Sequence, residues 1–173
     1  MKIVLIGYMG SGKTAVGQQL AETITCPFLD LDHLIETNEG KKISEIFSEK
    51  GEIYFRNKEI TTLKEAIADS KKIIISTGGG TPCYGNLMND LNNDDEVITI
   101  YLKAPVKVLT NRLFKEKSHR PLIAHLENKV SLNDFIRKHL FERTYYYNQS
   151  SLIVAVDEKS IHEIVEEIIM KLF

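Results

Sequence analysis

The stretch KIVLIGYMGSGKT, residues 2–14, decides how this chain folds. Its apolar half predicts a buried strand, and GYMGSGKT (7–14) fits the spacing G-x-x-x-x-G-K-[ST] directly before a helix pattern. Glycines in such a turn let successive backbone N–H groups point at one anion, at the positive end of the following helix. The strand, the glycine turn and the helix together predict a phosphate-binding loop.

The other residues of the loop suit a nucleotide. Lys13 is expected to reach the β- and γ-phosphates, and the Thr14 hydroxyl is expected to ligate Mg²⁺. Guanine-specific proteins usually carry an N-K-x-D segment, which this sequence lacks, and 173 residues leave little room for the extra modules of a motor. A small kinase is therefore the favoured class.

Beyond the loop, apolar runs alternate with helix-period segments. The predicted strands are KIVLIG (2–7), PFLDLD (27–32), KIIIST (72–77), EVITIYL (96–102) and SLIVAV (151–156), and the predicted helices lie at about 13–25, 52–69, 105–114, 131–147 and 160–172. Strands that are mostly apolar on both faces are typical of a buried parallel sheet. The alternation predicts a three-layer α/β fold in a single domain, residues 1–173.

Composition narrows the range of partners. The chain is 43% hydrophobic and 27% charged with a net charge of -2, so nothing in it favours nucleic acid or an anionic membrane as a partner. The first apolar run is too short for a signal peptide, and Cys26 and Cys83 form no metal-type cluster. We expect a monomer in the reducing cytoplasm, without a membrane span.

Two aspartates follow the second predicted strand, in FLDLDHLIE (28–36). Asp30 and Asp32 would share a face of a strand, but should diverge where the strand gives way to a helix. One can then lie near Thr14 and the metal, while the other points into the cleft beyond the γ-phosphate. The alternative for Asp32 is that it only caps the next helix.

Two arginines lie on apolar helix faces. Arg56 falls on the stripe defined by Ile53, Ile60, Leu63 and Ile67, and Arg143 continues the stripe of Leu132, Ile136 and Leu140. An inward guanidinium needs an anionic partner. The alternatives are structural salt bridges and a carboxylate or phosphate of the acceptor; the pair together favours an anionic acceptor.

A long polar connection, KEKSHRPLIAHLENKVS (115–131), separates two predicted helices. A connection of this length in a compact domain is usually functional or mobile. It is either a mobile surface loop or a closing lid. The lid is suggested by Arg120, because the apolar PLI segment directly after it could dock on another part of the protein.

Taken together, these segments resemble the shikimate kinases over nearly the whole chain. The matching pieces are IGYMGSGKT (6–14), FLDLDHLIE (28–36), ISEIFSEKGEIYFRNKE (43–59), STGGGT (76–81), RPL (120–122) and ERTYYY (142–147). The resemblance implies phosphoryl transfer from MgATP to the 3-hydroxyl of shikimate. It also implies a P-loop kinase fold with a five-stranded parallel sheet, a mobile lid at about 115–130 and an acceptor-binding region at about 31–60.

The resemblance also implies roles for single residues. Nucleotide contacts are expected from Gly10, Ser11, Gly12, Lys13, Thr14, Ala15, Arg112 and Arg120. Shikimate contacts are expected from Asp32, Arg56, Gly78, Gly79, Gly80 and Arg143. Lys13, Asp32 and Arg120 would be catalytic, and Asp30 would support the metal through water, beside Thr14. Side chains at 78–80 would fill the space of the acceptor, and glycine also permits backbone angles closed to other residues.

Two positions depart from the family pattern. Ala15 stands where many relatives have a second Ser or Thr, and VDEKSIHE (156–163) lacks their Arg/Pro-containing adenine loop. The second departure leaves the base preference open. The alternative functions are another small-molecule kinase of this fold, such as a gluconate kinase, and a non-catalytic ATP-binding regulatory domain.

Overall fold

Five short apolar runs form the strands of one sheet in the computed structural model, which describes residues 1–173. The strands are β1 (Lys2–Ile6), β2 (Phe28–Asp30), β3 (Ile73–Ser76), β4 (Val97–Lys103) and β5 (Leu152–Ala155). The helices are α1 (Lys13–Thr23), α2 (Leu31–Glu39), α3 (Ile43–Ala68), α4 (Leu87–Asn92), α5 (Val106–Glu116), α6 (Lys129–Tyr147) and α7 (Ile161–Leu172). Short 3₁₀ turns span Thr81–Cys83 and Lys117–His119.

The sheet order explains where a site can form. The strands run β2-β3-β1-β4-β5, and every neighbouring pair is parallel. Carboxyl ends of parallel strands meet at one edge of a sheet, which is where such folds bind ligands. The phosphate-binding loop after β1, Asp30 at the end of β2 and the glycine run after β3 therefore lie side by side. The predicted α/β fold with a five-stranded parallel sheet is confirmed.

One core of 36 buried hydrophobic residues holds the layers together. Every residue of β1 and β3 is buried, as their continuous apolar sequence predicts for strands covered on both faces. No helix is long and apolar enough to cross a membrane.

Helix α3 differs most from its prediction. It starts at Ile43, well before the predicted residue 52, and its backbone breaks at Gly51, with φ 81° and ψ 172°. Because the chain leaves helical geometry there, the buried face of the second half begins at Phe55. Ile53 is 80% exposed, so its assignment to the inward stripe was wrong. The buried positions of this half are Phe55, Glu59, Thr62, Leu63 and Ile67.

One additional helix and the start of another also differ from the prediction. The six-residue α4 was not predicted, because it is too short to show a periodicity. Helix α6 begins at Lys129 because the side chain of Asn128 caps it by accepting from the backbone N–H of Ser131. The connection between α5 and α6 is thus shorter than the sequence suggests. Within its apolar segment Ile123 is fully buried, whereas Leu122 is mostly exposed.

Candidate active site

The phosphate-binding loop leaves its backbone donors available. Gly10 and Gly12 adopt φ 78° and 97°, left-handed values that side chains rarely allow. Helix α1 then starts at Lys13 with no side-chain cap and no acidic residue in its first turn. Thr14 and Ala15 are exposed at this end, while Ser11 is buried. The first N–H groups of α1 are therefore free to bind an anion.

Lys13 is buried inside the curl of the loop. Its ammonium donates to the carbonyl oxygens of Gly7 at 2.8 Å and of Tyr8 at 3.0 Å. Burial lowers its pKa to about 8, the charge of Asp32 acts in the opposite direction, and that of Arg120 adds to the lowering. The loop thus holds a cation at its centre, within electrostatic range of both other residues.

Asp30 connects the loop to two strands. One carboxylate oxygen, Oδ2, accepts from Thr14 Oγ1 at 2.9 Å and from Ser76 Oγ at 3.0 Å. The other oxygen caps α2 by accepting from the N–H of His33 at 3.2 Å. The helix cap that was the alternative for Asp32 is therefore Asp30, since β2 ends at Asp30 and α2 begins at the next residue.

Asp32 lies in the first turn of α2 and receives no hydrogen bond from the chain. Burial and the charges of Glu59 and Asp30 together raise its pKa to about 6, and the charge of Lys13 opposes them. Its Oδ1 lies 3.1 Å from the position that a Cβ would take at Gly78. This carboxylate faces the glycine run, while Asp30 faces Thr14, so the two side chains diverge.

Arg56 is enclosed by two carboxylates and an aromatic ring. Its Nη1 donates to Glu59 Oε2 at 2.6 Å, and its guanidinium lies 4.4 Å from the centroid of the Tyr84 ring. Glu52 is in ion-pair range at 3.6 Å, yet the buried Nε of Arg56 has no hydrogen-bond partner. The structural salt bridges are thus present: Nη1 pairs with Glu59, and the buried Nε lies on the side of Glu52.

Glu59 is the residue of this cluster that the sequence analysis missed. It is 1% exposed and also accepts from Thr81 Oγ1 at 2.6 Å. Burial raises its pKa, and the charge of Arg56 opposes that effect. Its position three residues after Arg56, on the same helix face as Leu63, was the available signal. A buried carboxylate beside an arginine anchors that arginine.

Arg143, on α6, differs from Arg56 in having no ion pair with any carboxylate of the chain. Its guanidinium lies 5.7 Å from the centroid of the Tyr8 ring. Arg137 and Lys138, the surface residues of the same helix, are exposed as predicted.

Each glycine of the run 78–80 lies against a different charged side chain. A Cβ at Gly78 would lie 2.8 Å from Glu59 Oε1, one at Gly79 would lie 3.3 Å from Arg143 Nη1, and one at Gly80 would lie 2.8 Å from the guanidinium of Arg56. None of the three glycines has a positive φ, so the expectation of special backbone angles is wrong. The run lacks side chains because the protein's own charged groups occupy the space.

Arg112 and Arg120 approach the loop from α5 and from the connection that follows it. Arg112 Nη1 donates to the carbonyl of Gly10 at 3.1 Å. Arg120 pairs with Glu116 on the surface, at 2.8 Å, a partner that the sequence analysis did not predict. All the candidate residues therefore lie at one edge of the sheet, with the nucleotide side at α1 and the acceptor side at α3 and α6.

A phosphate-binding loop on the central strand, facing a carboxylate and two arginines, defines a small-molecule kinase with an anionic acceptor. The sequence model of one family, described as shikimate kinase, matches residues 9–173. This chain belongs to the shikimate kinase family.

Individual relatives agree over the full length. A shikimate kinase from Flavobacterium psychrophilum is 48% identical over 99% of both chains. The solved shikimate kinase from Bacteroides thetaiotaomicron superposes with a TM-score of 0.91 at 36% identity, covering 99% of this chain and 98% of that one. The Acinetobacter baumannii enzyme, solved in complex with shikimate, gives 0.86 at 31% identity and covers 99% and 92%.

Proposed function

We propose that this chain transfers the γ-phosphoryl group of ATP to the 3-hydroxyl of shikimate. One observation carries the proposal: neither the carboxylate of Asp32 nor the guanidinium of Arg143 has an ion-pair partner in the chain, and the two groups face neighbouring glycines. An acceptor with a hydroxyl and a carboxylate satisfies both groups at once. Shikimate is such an acceptor, and family membership supports it.

The proposed mechanism relies on alignment and charge neutralisation. Arg143 and the guanidinium of Arg56 bind the acceptor carboxylate, so that the reacting hydroxyl lies beside Asp32. Asp32 orients this hydroxyl and withdraws its proton as the phosphoryl group arrives. Lys13 and the backbone N–H groups of the loop stabilise the charge that spreads over the phosphate oxygens. Closure of the proposed lid, about 115–130, brings Arg120 to that charge and excludes water.

Mg²⁺ fits the residues beside the loop. No group of three or more acidic, histidine or cysteine side chains is arranged to hold a metal ion. Mg²⁺ in kinases needs no such cage, because it is held by one or two protein oxygens together with phosphates and water. The Thr14 hydroxyl and the Asp30 carboxylate, 2.9 Å apart, supply a direct ligand and a water-mediated one. Held there, the ion would supply positive charge against the phosphates.

The test is a coupled ADP-release assay with shikimate, gluconate and nucleoside monophosphates as acceptors. We expect turnover only with shikimate, and loss of that turnover in Arg143→Ala by at least about a hundredfold in kcat/KM, as for a deleted charge-assisted contact. Arg137→Ala, on the exposed side of the same helix, is the matched control. ATP hydrolysis that is indifferent to shikimate would refute the proposal and favour a nucleotide-binding regulatory domain.

The remaining expectations stay predictions. They are a monomeric state, a cytoplasmic location, no nucleic-acid partner and the roles assigned to single residues. Sedimentation velocity of the purified chain, with and without both substrates, tests the first of them.

A further inference from the structure

Tyr8, inside the phosphate-binding loop, faces α6 rather than the nucleotide side. Its side chain is 1% exposed, and its hydroxyl lies 3.0 Å from Nδ1 of His139. The two rings meet edge to face with centroids 5.6 Å apart, and the ring of Phe135 packs against His139 from the preceding turn at 5.2 Å. The sequence analysis assigned no functional role to either residue.

Burial keeps both partners of this hydrogen bond neutral. Burial raises the pKa of Tyr8 to about 12, opposed by the charge of Arg143. Burial also lowers the pKa of His139, the charges of Arg143 and Arg56 add to that lowering, and Glu142 opposes it. The pair therefore shares a single neutral hydrogen bond at physiological pH.

This hydrogen bond lies one helical turn before Arg143. The guanidinium of Arg143 lies 5.7 Å from the centroid of the Tyr8 ring, within the range of a cation–π contact. Beside it is Gly79, where a Cβ would meet both Arg143 Nη1 and the backbone nitrogen of Met9. Since no carboxylate of the chain holds Arg143, the Tyr8 ring and the glycine run are what define its place.

The next turn of α6 places a second buried tyrosine beside the glycine run. Tyr147, four residues after Arg143, is fully buried and donates its hydroxyl to the carbonyl oxygen of Gly79. Three successive turns of one face of α6 therefore contact the site. His139 contacts the phosphate-binding loop, Arg143 lies on the acceptor side, and Tyr147 contacts the glycine run. Arg143 lies between two tyrosine contacts, one of which belongs to the nucleotide loop.

We propose that Tyr8 and His139 are positioning residues for Arg143. Their hydrogen bond fixes the Tyr8 ring beneath the guanidinium, and thereby directs an arginine without an anionic partner toward the acceptor carboxylate. The proposal rests on the proposed function, because it takes Arg143 as the acceptor arginine. Neither residue touches the reacting atoms.

The test separates the hydrogen bond from ring packing. Tyr8→Phe keeps the ring and removes the hydroxyl. His139→Phe keeps a ring and removes the Nδ1 partner. His139→Asn keeps a hydrogen-bonding group near the Nδ1 position and removes the ring. We expect the two Phe variants to raise KM for shikimate about threefold to tenfold at saturating ATP, the effect of one lost hydrogen bond. KM for ATP should change less than about twofold, and His139→Asn should restore most of the wild-type value.

A double variant completes the kinetic test. Tyr8→Phe combined with His139→Phe should be no worse than either single change, because both remove the same interaction. Tyr145→Phe, a tyrosine on the same helix that is 73% exposed, is the matched control and should behave as wild type. Additive effects, or an equal rise in KM for ATP, would mean that the pair only supports the loop and would overturn the proposal.

A second readout does not depend on turnover. Ordered Arg143 should give a distinct Nε–H signal by NMR in the wild type and in His139→Asn, and a broadened or shifted one in both Phe variants. If the wild type fails to phosphorylate shikimate, the proposed function falls, and this comparison still decides the positioning role. An Arg143 signal unaffected by either Phe variant would refute it.

Discussion

Gly80 lies against the guanidinium of Arg56, where a Cβ would come within 2.8 Å of both terminal nitrogens. The ion pair with Glu59 and the ring of Tyr84 prevent the guanidinium from retreating. A methyl group at this position must therefore displace the guanidinium that we assign to the acceptor.

Gly80→Ala should therefore raise KM for shikimate by about tenfold to a hundredfold, the range for a lost hydrogen bond to a charged group, with little change in KM for ATP. Gly79→Ala should also raise KM for shikimate more than KM for ATP, but less selectively, since its Cβ meets the backbone of Met9 in the loop at 3.2 Å. Steady-state kinetics with each substrate varied in turn measure both. A Gly80→Ala enzyme with unchanged KM for shikimate would contradict this role of Arg56.

Asp32 should reduce the stability of the folded protein at neutral pH. Its pKa is raised to about 6 in the fold, by burial and by the charges of Glu59 and Asp30, against about 3.9 in an unfolded chain. The folded state thus binds more protons between about pH 4 and pH 6, and the free energy of unfolding falls as pH rises through that window. A charge that costs stability is a sign of a functional position.

The prediction is that Asp32→Asn abolishes turnover and stabilises the metal-free protein by on the order of 1–3 kcal/mol at pH 7.5, with a smaller gain at pH 4.5. Urea denaturation in EDTA at the two pH values measures the difference. The amide of the variant carries no charge at either pH, so a gain that is equal at both would show that the carboxylate's ionisation is not the cause. Asp94→Asn, at a surface position whose carboxylate accepts only from the N–H of Glu96, is a suitable control.

At the scale of elements, the connection between α5 and α6 holds its arginine by one weak surface contact. Arg120 is held only by Glu116, a surface partner four residues earlier that is itself half exposed. Exposed pairs of this kind contribute less than about 1 kcal/mol. A transferring phosphate can therefore take the arginine from Glu116 at little cost, while the buried Ile123 keeps the segment attached to the core.

Arg120→Ala should lower kcat by about a thousandfold, the smaller of the effects known for arginines that act on transferring phosphates, and change KM for shikimate by less than about threefold. Single-turnover and steady-state assays together show whether the loss lies in the chemical step. Glu116→Ala is the control: it frees Arg120 and should keep turnover. Unchanged turnover in Arg120→Ala would remove the lid from the mechanism.

The full length of α3 could not be predicted from hydrophobic periodicity. The first half of α3 lacks a continuous periodicity with the second half, since Gly51 interrupts the helix with a left-handed φ of 81°. The same break shifted the inward face, which is why Ile53 was misassigned and Glu59 overlooked. Arg143 was correctly placed because α6 is uninterrupted from Lys129 to Tyr147.

At the scale of the whole molecule, strand–helix alternation was enough to predict the α/β class, because each apolar run is short and the inner strands β1 and β3 are buried on both faces. Strand order was not predictable from periodicity, and it is the order β2-β3-β1 that brings Asp30, the glycine run and the loop to one edge. The pairing of Asp30 with Ser76 across β2 and β3 is a product of that order. The residue types indicated the chemistry of the site, and the strand order determined which of these residues lie close together.

The glycine run has a consequence for inhibition. A Cβ at Gly78 would lie 2.8 Å from Glu59 and 3.1 Å from Asp32, one at Gly80 would lie 2.8 Å from Arg56, and one at Gly79 would lie 3.3 Å from Arg143. A compound that binds the peptide groups of residues 78–80 therefore contacts a surface that mutation cannot change without displacing the enzyme's own charged groups. Resistance to such a compound would have to arise elsewhere, where substitution leaves these four residues in place.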